Sequence, residues 1–165
     1  MSSNKFEPPS IIILPDQSGK ILVRAKVPLS SKHKTGVIDE LLDLFIFDKE
    51  LIDKDEVFKD IIKREELSST GLEKGIAIPH AKTKGVSMPL LGVGISLEGI
   101  PFDSLDGEKS HIFFMLLNPL TNQDLHIDLL KNITFMVNDD KIRTTLLKLS
   151  SEKDIIKMIK EFIEK

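Results

Sequence analysis

Two nearly uninterrupted apolar runs lie in the middle of the chain: LLGVGISL at residues 90–97 and HIFFMLL at residues 111–117. Runs of this kind are typical of strands that are covered on both faces, because a half-exposed strand alternates apolar and polar residues instead. Turn signals that include glycine, at residues 98–99 and 106–107, lie between the two runs. The pattern therefore predicts the central strands of a layered α/β protein rather than a sandwich.

Helical periodicity is found on both sides of these runs. Apolar residues recur at helical spacing in residues 36–47, and again in residues 57–62 behind the candidate N-cap Asp53. Three more helices are predicted after the runs, and their candidate N-caps are Thr121 or Asn122, Asp139 and Ser151. The order of helices, strands and helices predicts an α/β or α+β layered domain.

The first 30 residues are interpreted as an N-terminal leader with two possible short strands, and the domain is assigned to residues 31–165. The strands would be the β-branched run at residues 11–14 and the alternating segment at residues 21–26. A turn is predicted at residues 16–19. The strands could form a hairpin or edge strands, and the alternative is a poorly ordered lead-in.

Composition excludes several classes of protein. The chain has 165 residues, which suits one domain, and its formal net charge of −3 argues against a general nucleic-acid or membrane-surface binder. It has no cysteine, which excludes disulfides and thiolate chemistry, and no tyrosine. No apolar run approaches the ~20 residues of a membrane span, and the N-terminus lacks the pattern of a signal peptide. We therefore expect a cytoplasmic protein without membrane insertion.

Four histidines are the main candidates for chemistry. His33 lies in a polar basic stretch and is expected at the surface, and His111 opens a strand and is expected near the surface. His80 follows an apolar strand that Pro79 is expected to end, a place where open α/β sheets bind ligands. His126 lies in the first turns of a predicted helix, where anions bind favourably. By pattern alone, His80 could also be an ordinary loop histidine, and His126 could face solvent.

Several segments together resemble a known family. The segments are REELSSTG at residues 64–71, GIAIPHA at residues 75–81, IPFDSLDG at residues 100–107, and LLNP at residues 116–119 followed by His126. They are similar to the signature of phosphotransferase-system EIIA proteins of the fructose/mannitol and nitrogen-regulatory type. The resemblance extends from about residue 31 to residue 165, and chance agreement over the first two segments together is improbable.

The resemblance implies a central mixed β-sheet with helices on both sides. It also implies that His80 accepts a phosphoryl group from the phosphocarrier protein HPr and passes it to an EIIB partner. No cofactor is implied, since the phosphoryl group comes from phosphoenolpyruvate through Enzyme I and HPr. His126 matches the second histidine of the family's active site, and Arg64 matches the arginine that precedes the signature. Any EIIB component is expected on a separate molecule.

The chemistry of these residue types agrees with the implied roles. A neutral imidazole is a nucleophile near neutral pH, and phosphoryl transfer depends mainly on alignment and charge stabilisation. Arg64 and His126 can donate to phosphoryl oxygens, and the hydroxyls of Ser69 and Thr70 are further candidate donors in a phosphate-binding loop. No metal is required by this chemistry.

Two alternatives remain at this stage. In the first, the phosphorylation state of His80 controls binding to a kinase, transporter or transcription factor, and no sugar is moved. In the second, which belongs to another class, His80, His111 and His126 converge on zinc for hydrolysis, although their spacing has no metal signature.

Overall fold

The computed structural model describes residues 10–14, 19–121 and 123–164. The strands are β1 (Ser10–Ile13), β2 (Lys20–Lys26), β3 (Ile76–Ala77), β4 (His80–Lys82), β5 (Leu90–Ile100) and β6 (Ser110–Asn118). The helices are α1 (Lys34–Asp43), α2 (Lys54–Leu67), α3 (Gln123–Val137), α4 (Asp140–Lys148) and α5 (Glu152–Ile163).

Within the described part of the chain, six strands form one mixed sheet in the order β1-β2-β5-β6-β3, with β4 also paired to β6. The pairs β1/β2 and β5/β6 are antiparallel, whereas β2/β5, β3/β6 and β4/β6 are parallel. Strands β5 and β6 lie inside the sheet, and most of their residues are buried, as the two apolar runs predict. The prediction of a central mixed sheet is confirmed.

Helices cover both faces of the sheet. One apolar core lies between the sheet and helices α1 and α2, and includes Leu41, Ile61 and Phe113. The second lies between the sheet and helices α3, α4 and α5, and includes Phe114 and Ile159. The predicted flanking of the sheet is therefore confirmed. No helix within the described ranges combines the length and apolar character that crossing a membrane requires.

Strands β1 and β2 belong to the sheet although both lie in the segment interpreted as a leader. They pair as the hairpin that was one of the open alternatives, and β2 also pairs with β5. Ile21, Leu22 and Val23 are all buried, because helices cover both faces of the sheet at this strand. The folded core thus begins before residue 31. Residues 1–9 and 15–18 lie outside the described residues, and the second range includes most of the turn predicted at residues 16–19.

The expectation that Pro79 ends a strand is wrong in one respect. The carbonyl of Pro79 accepts a hydrogen bond from Leu116 N at 2.9 Å, and the chain resumes beside β6 as β4. Proline lacks an N–H donor and is tolerated at the edge of a sheet. Strand β3 therefore ends before Pro79, and the chain pairs with β6 again directly after Pro79, as β4. His80 therefore lies within an edge strand rather than beyond a strand end.

The predicted N-caps at Asp53, Asp139 and Ser151 are confirmed, since each side chain accepts a hydrogen bond from a backbone N–H in the first turn of its helix. Thr121 lies in a turn, and Asn122 is outside the described residues. Helix α1 ends at Asp43, before the predicted residue 47, because the next amides bond to carbonyls three residues back and form tighter turns.

Candidate functional site

A pocket of about 710 Å³ opens beside β4, between the end of α2 and the start of α3. It lies near the carboxyl end of β6, since His80 pairs with Leu116 and Lys82 pairs with Asn118. Its lining residues are Asp60, Lys63, Arg64, Glu66, Leu67, His80, Ala81, Lys82, Leu120 and His126. Three of these carry a permanent or near-permanent positive charge and two are carboxylates, so the pocket suits an anionic group.

His80 is positioned by the edge strand β4, in which successive side chains point to opposite faces of the sheet. Ala81 is buried in the core shared with α1 and α2, whereas His80 and Lys82 are half-buried and line the pocket. Residues two apart in a strand point to the same face, so the strand presents the imidazole and an ammonium side by side.

The ring of His80 is oriented by a backbone carbonyl. Nδ1 of His80 lies 2.7 Å from the carbonyl oxygen of Ile78. Because a carbonyl only accepts, Nδ1 carries the proton, and in the neutral ring Nε2 has the free lone pair. Burial lowers the pKa of His80 below the usual 6.5 and outweighs the opposing hydrogen bond to the Ile78 carbonyl. The charge of Arg64 lowers the pKa further, and Glu65 has a smaller opposing influence. His80 is therefore a neutral imidazole with Nε2 available as a nucleophile.

The end of α2 is tied to the strand that carries His80. The buried carboxylate of Glu65 accepts from Thr70 N at 3.1 Å and from the Thr70 hydroxyl, and it pairs with Lys34 Nζ at 2.8 Å. The carbonyl of Thr70 in turn accepts from Ile78 N at 3.1 Å. These bonds hold the loop at residues 68–71 against the strand, and so fix α2 relative to His80.

Gly71 is required in this loop because of close packing. A Cβ at Gly71 would lie 2.6 Å from Ser104 Oγ and 2.8 Å from the carbonyl oxygen of Phe102. Both distances are shorter than a carbon–oxygen contact allows, so the loop approaches residues 102–104 as closely as it does only without a side chain.

Arg64 lies in the last turn of α2 and lines the pocket. One guanidinium nitrogen donates to the carbonyl oxygen of Ser68 at 2.8 Å. That bond orients the planar guanidinium, which has further N–H donors for an anion.

His126 faces His80 from α3. It is the fourth residue of that helix, the residue is 7% exposed, and the two ring centroids are 5.7 Å apart. Burial, followed by the nearby His80 and Lys82, lowers the pKa of His126 to about 4. Nδ1 of His126 lies 2.8 Å from the amide nitrogen of Asn118, the last residue of β6. The structure thus brings together His80, His126 and Arg64, the three residues that the sequence analysis placed in one site.

Ser69 and Thr70 are not among the residues that line the pocket. The Ser69 hydroxyl donates to the carbonyl oxygen of Phe102 at 2.6 Å and accepts from Gly71 N, while the Thr70 hydroxyl donates to Glu65. Their hydroxyl protons are engaged in holding the loop, which corrects the expectation that they face the phosphoryl group.

The remaining histidines lie elsewhere. His33 is exposed and precedes α1, and His111 lies at the start of β6 with Nδ1 3.0 Å from the Ser96 carbonyl oxygen. His111 lies five positions before Leu116, the partner of His80, which is about 16 Å along the strand. Within the described residues, no three side chains of His, Cys, Asp or Glu are grouped so that they could hold a metal ion. The three histidines therefore do not converge as the zinc alternative required.

Sequence reasoning missed Asn118, Lys82 and Glu65 as parts of the site. Lys82 could have been found from its position two residues after His80 in an alternating strand. Asn118 is a polar residue that directly follows a buried apolar run, which is a recognisable signal. The burial of Glu65 has no comparable signal, because it depends on contacts with Lys34 and Thr70.

Comparison with known proteins agrees with this geometry. A sequence model of the family described as "Phosphoenolpyruvate-dependent sugar phosphotransferase system, EIIA 2" matches residues 21–162. The fructose-specific EIIABC component of Bacillus subtilis is 36% identical over 136 residues, which are 82% of this chain and 21% of that protein. The fructose-specific EIIA component of Haloferax volcanii is 33% identical over 131 residues, covering 79% of this chain and 85% of that protein.

A solved structure shares the fold. The nitrogen regulatory protein IIA-Ntr from Neisseria meningitidis superposes with a TM-score of 0.73 at 27% identity, covering 84% of this chain and 92% of that one. The sequence match covers most of the chain, and the fold and the pair of facing histidines are consistent with it. The chain therefore belongs to the EIIA type 2 family of the phosphoenolpyruvate-dependent sugar phosphotransferase system.

Proposed function

We propose that this protein is a phosphohistidine carrier that accepts a phosphoryl group from phospho-HPr on Nε2 of His80 and passes it to an EIIB partner. The observation that carries the proposal is the contact between His80 Nδ1 and the Ile78 carbonyl, which leaves Nε2 unprotonated beside His126 and Arg64. The names of the two fructose-specific relatives support a place in the uptake of a fructose-like sugar.

The transfer step needs no net proton movement at His80. The lone pair of Nε2 attacks phosphorus, a P–N bond forms, and the P–N bond to the donor histidine breaks as that ring leaves with the bonding electrons. The proton on Nδ1 stays on His80, where the Ile78 carbonyl accepts its hydrogen bond. The phosphorylated ring is then cationic, which makes it a good leaving group when the phosphoryl group moves on to the next acceptor.

The surrounding groups stabilise the charge that moves. Arg64 has guanidinium donors, and His126 has a ring 5.7 Å from that of His80, within reach of oxygens on a phosphoryl group attached to Nε2. Lys63 and Lys82 add positive charge around the pocket. Stabilisation of the equatorial oxygens is the main catalytic requirement of phosphoryl transfer, and these side chains supply it without a metal ion.

The experiment is an intact-mass measurement after incubation with phosphoenolpyruvate, Enzyme I and HPr. We expect wild type to gain one acid-labile phosphoryl group and His80→Ala to gain none. His111→Ala is the matched control, because His111 also bonds a carbonyl through Nδ1 but lies far from the pocket, and it should be phosphorylated normally. Normal phosphorylation of folded His80→Ala would overturn the proposal.

A regulatory role is the second candidate. It is favoured by the name of a Pseudomonas aeruginosa relative, a nitrogen regulatory protein that is 31% identical over 123 residues. In this case the charge of about −2 added at His80 would switch the binding of a partner. Offering the phosphorylated protein to a fructose-type EIIB domain discriminates the two roles. Rapid discharge supports the carrier, whereas slow or absent discharge supports regulation.

A further inference from the structure

Asn118 contacts one ring nitrogen of His126, Nδ1, and leaves Nε2 without a contact from this amide. Asn118 is the last residue of β6 and is 1% exposed, and its side-chain amide nitrogen is 2.8 Å from His126 Nδ1. An amide nitrogen only donates, so Nδ1 of His126 must accept with its lone pair. The neutral ring of His126 therefore carries its proton on Nε2, as a donor to a group in the pocket.

The other end of the same amide has no partner. Oδ1 of Asn118 is buried and makes no hydrogen bond with any described residue. A buried polar atom without a partner is destabilising, because it has lost its hydrogen bonds to water and gained none in return. If the amide turned by 180°, Oδ1 would face Nδ1 of His126 and could accept a hydrogen bond, provided that Nδ1 were protonated. The site thus has a second arrangement that suits a protonated His126.

We propose that Asn118 is a positioning residue whose side-chain amide rotates by 180° when His126 changes from its neutral to its protonated form. In the free protein the amide nitrogen holds His126 neutral as the Nε2–H tautomer. Once His80 is phosphorylated, His126 takes up a proton from solvent, and Oδ1 of Asn118 accepts from the new Nδ1–H. The imidazolium then donates from Nε2 to the phosphoryl oxygens. The second half of this inference rests on the proposed function of His80.

The charges around His126 explain why the two states differ. From β4 it faces His80 and Lys82, and α2 adds Asp60, Lys63, Arg64 and Glu66 to the same pocket. In the free protein the burial of the ring, followed by the nearby His80 and Lys82, disfavours an imidazolium and lowers the pKa of His126. A phosphoryl group of charge about −2 at His80 reverses the local balance. The amide allows either state to keep one hydrogen bond at Nδ1.

The test is a ¹⁵N NMR measurement of the histidine rings in the wild-type protein at pH 7, before and after phosphorylation. We expect His126 to show the Nε2–H tautomer in the free protein and protons on both nitrogens in the phosphorylated protein. His111 is the internal control, since its contact with the Ser96 carbonyl requires the Nδ1–H tautomer in both samples. An Nδ1–H tautomer for His126 in the free protein, or a ring unchanged by phosphorylation, would overturn the inference.

Two variants of nearly equal size isolate the amide. Asn118→Asp puts an accepting carboxylate against Nδ1 and should raise the pKa of His126 by about 1–3 units in the free protein. Asn118→Leu removes the hydrogen bond and should abolish the tautomer preference. A pKa of His126 that is the same in both folded variants would contradict the role of Asn118. If His80 is not phosphorylated, the proposed function fails, but the tautomer of the free protein still tests Asn118.

Discussion

Two histidines lie at opposite ends of strand β6, His111 within its start and His80 beside its end on β4, and the same kind of contact orients both rings. Nδ1 of His80 is 2.7 Å from the Ile78 carbonyl oxygen, and Nδ1 of His111 is 3.0 Å from that of Ser96. Both rings therefore carry their proton on Nδ1 when neutral. A fixed tautomer is thus common to the two ends and does not by itself make a phosphoryl site.

The surroundings of the two rings differ. The ring of His111 packs so closely on Gly99 that a Cβ there would lie 2.9 Å from its Nε2. His80 instead borders an open pocket with His126 opposite and Arg64 beside it. The comparison teaches that access to Nε2 and a set of convergent donors distinguish a reactive histidine from a structural one.

After the loss of His80 itself, the removal of His126 should have the largest effect on the rate of phosphoryl transfer, and so on the contrast between the two ends. We expect His126→Ala to slow phosphoryl transfer from phospho-HPr on the order of 10²-fold, because one donor to the moving charge is lost. His80 should still be phosphorylated to completion. The measurement is a quenched time course followed by intact mass. Folded His111→Ala should match wild type, and an equal loss in both variants would remove the distinction between the two ends.

Acid should destabilise the protein through His126. Its pKa is about 4 in the folded chain and about 6.5 in the unfolded chain, so the unfolded state binds more protons between these values. The contribution of His126 to the free energy of unfolding is therefore fully present above pH 6.5 and is lost as the pH drops toward 4. From pH 7 to pH 5 this amounts to about 2 kcal/mol from His126. The burial of His80 acts in the same direction, since its pKa is also lowered.

Urea unfolding at pH 7 and pH 5 measures this loss. His126→Gln has no group that titrates in the range, so it should lose about 2 kcal/mol less than wild type on acidification. His33→Gln is the control, because His33 is exposed before α1, and it should lose as much as wild type. Equal losses in His126→Gln and wild type would show that the neutral, buried ring is not the source.

The smallest effect on phosphoryl transfer is expected from a change at Ser69, in the loop that joins α2 to the strand of His80. Ser69→Ala removes two hydrogen bonds, to the Phe102 carbonyl and from Gly71 N, and should lower the free energy of unfolding by about 1–2 kcal/mol. The rate of phosphoryl transfer at saturating phospho-HPr should stay close to that of wild type. A large loss of rate without loss of stability would return Ser69 to the phosphate-binding role that its sequence position indicated.

Much of the fold could be predicted from the sequence, because burial leaves a local pattern. The runs at residues 90–97 and 111–117 predict strands covered on both faces, and three helix N-caps are recognisable from single side chains. The role of β2 was harder to predict. Its membership in the sheet depends on pairing with β5, about 70 residues later in the chain.

The candidate site was predictable in its main residues and not in its supporting bonds. His80, His126 and Arg64 were found from the motif, and the structure brings them to one pocket. The hydroxyl of Ser69 was expected in that pocket, but it bonds to Phe102, 33 residues away. A hydroxyl can serve a loop or a ligand equally well by its chemistry, so the partner is known only when the chain is folded.

The sequence by itself determined the layered α/β architecture, the motif that presents His80, and the absence of cysteine chemistry, because these follow from composition and short-range pattern. The tertiary structure determined which nitrogen of His80 is free, which amide contacts His126, and which histidine has no part in the pocket. The physical reason is that protonation and tautomer depend on hydrogen-bond partners and on burial, and folding supplies both from distant parts of the chain.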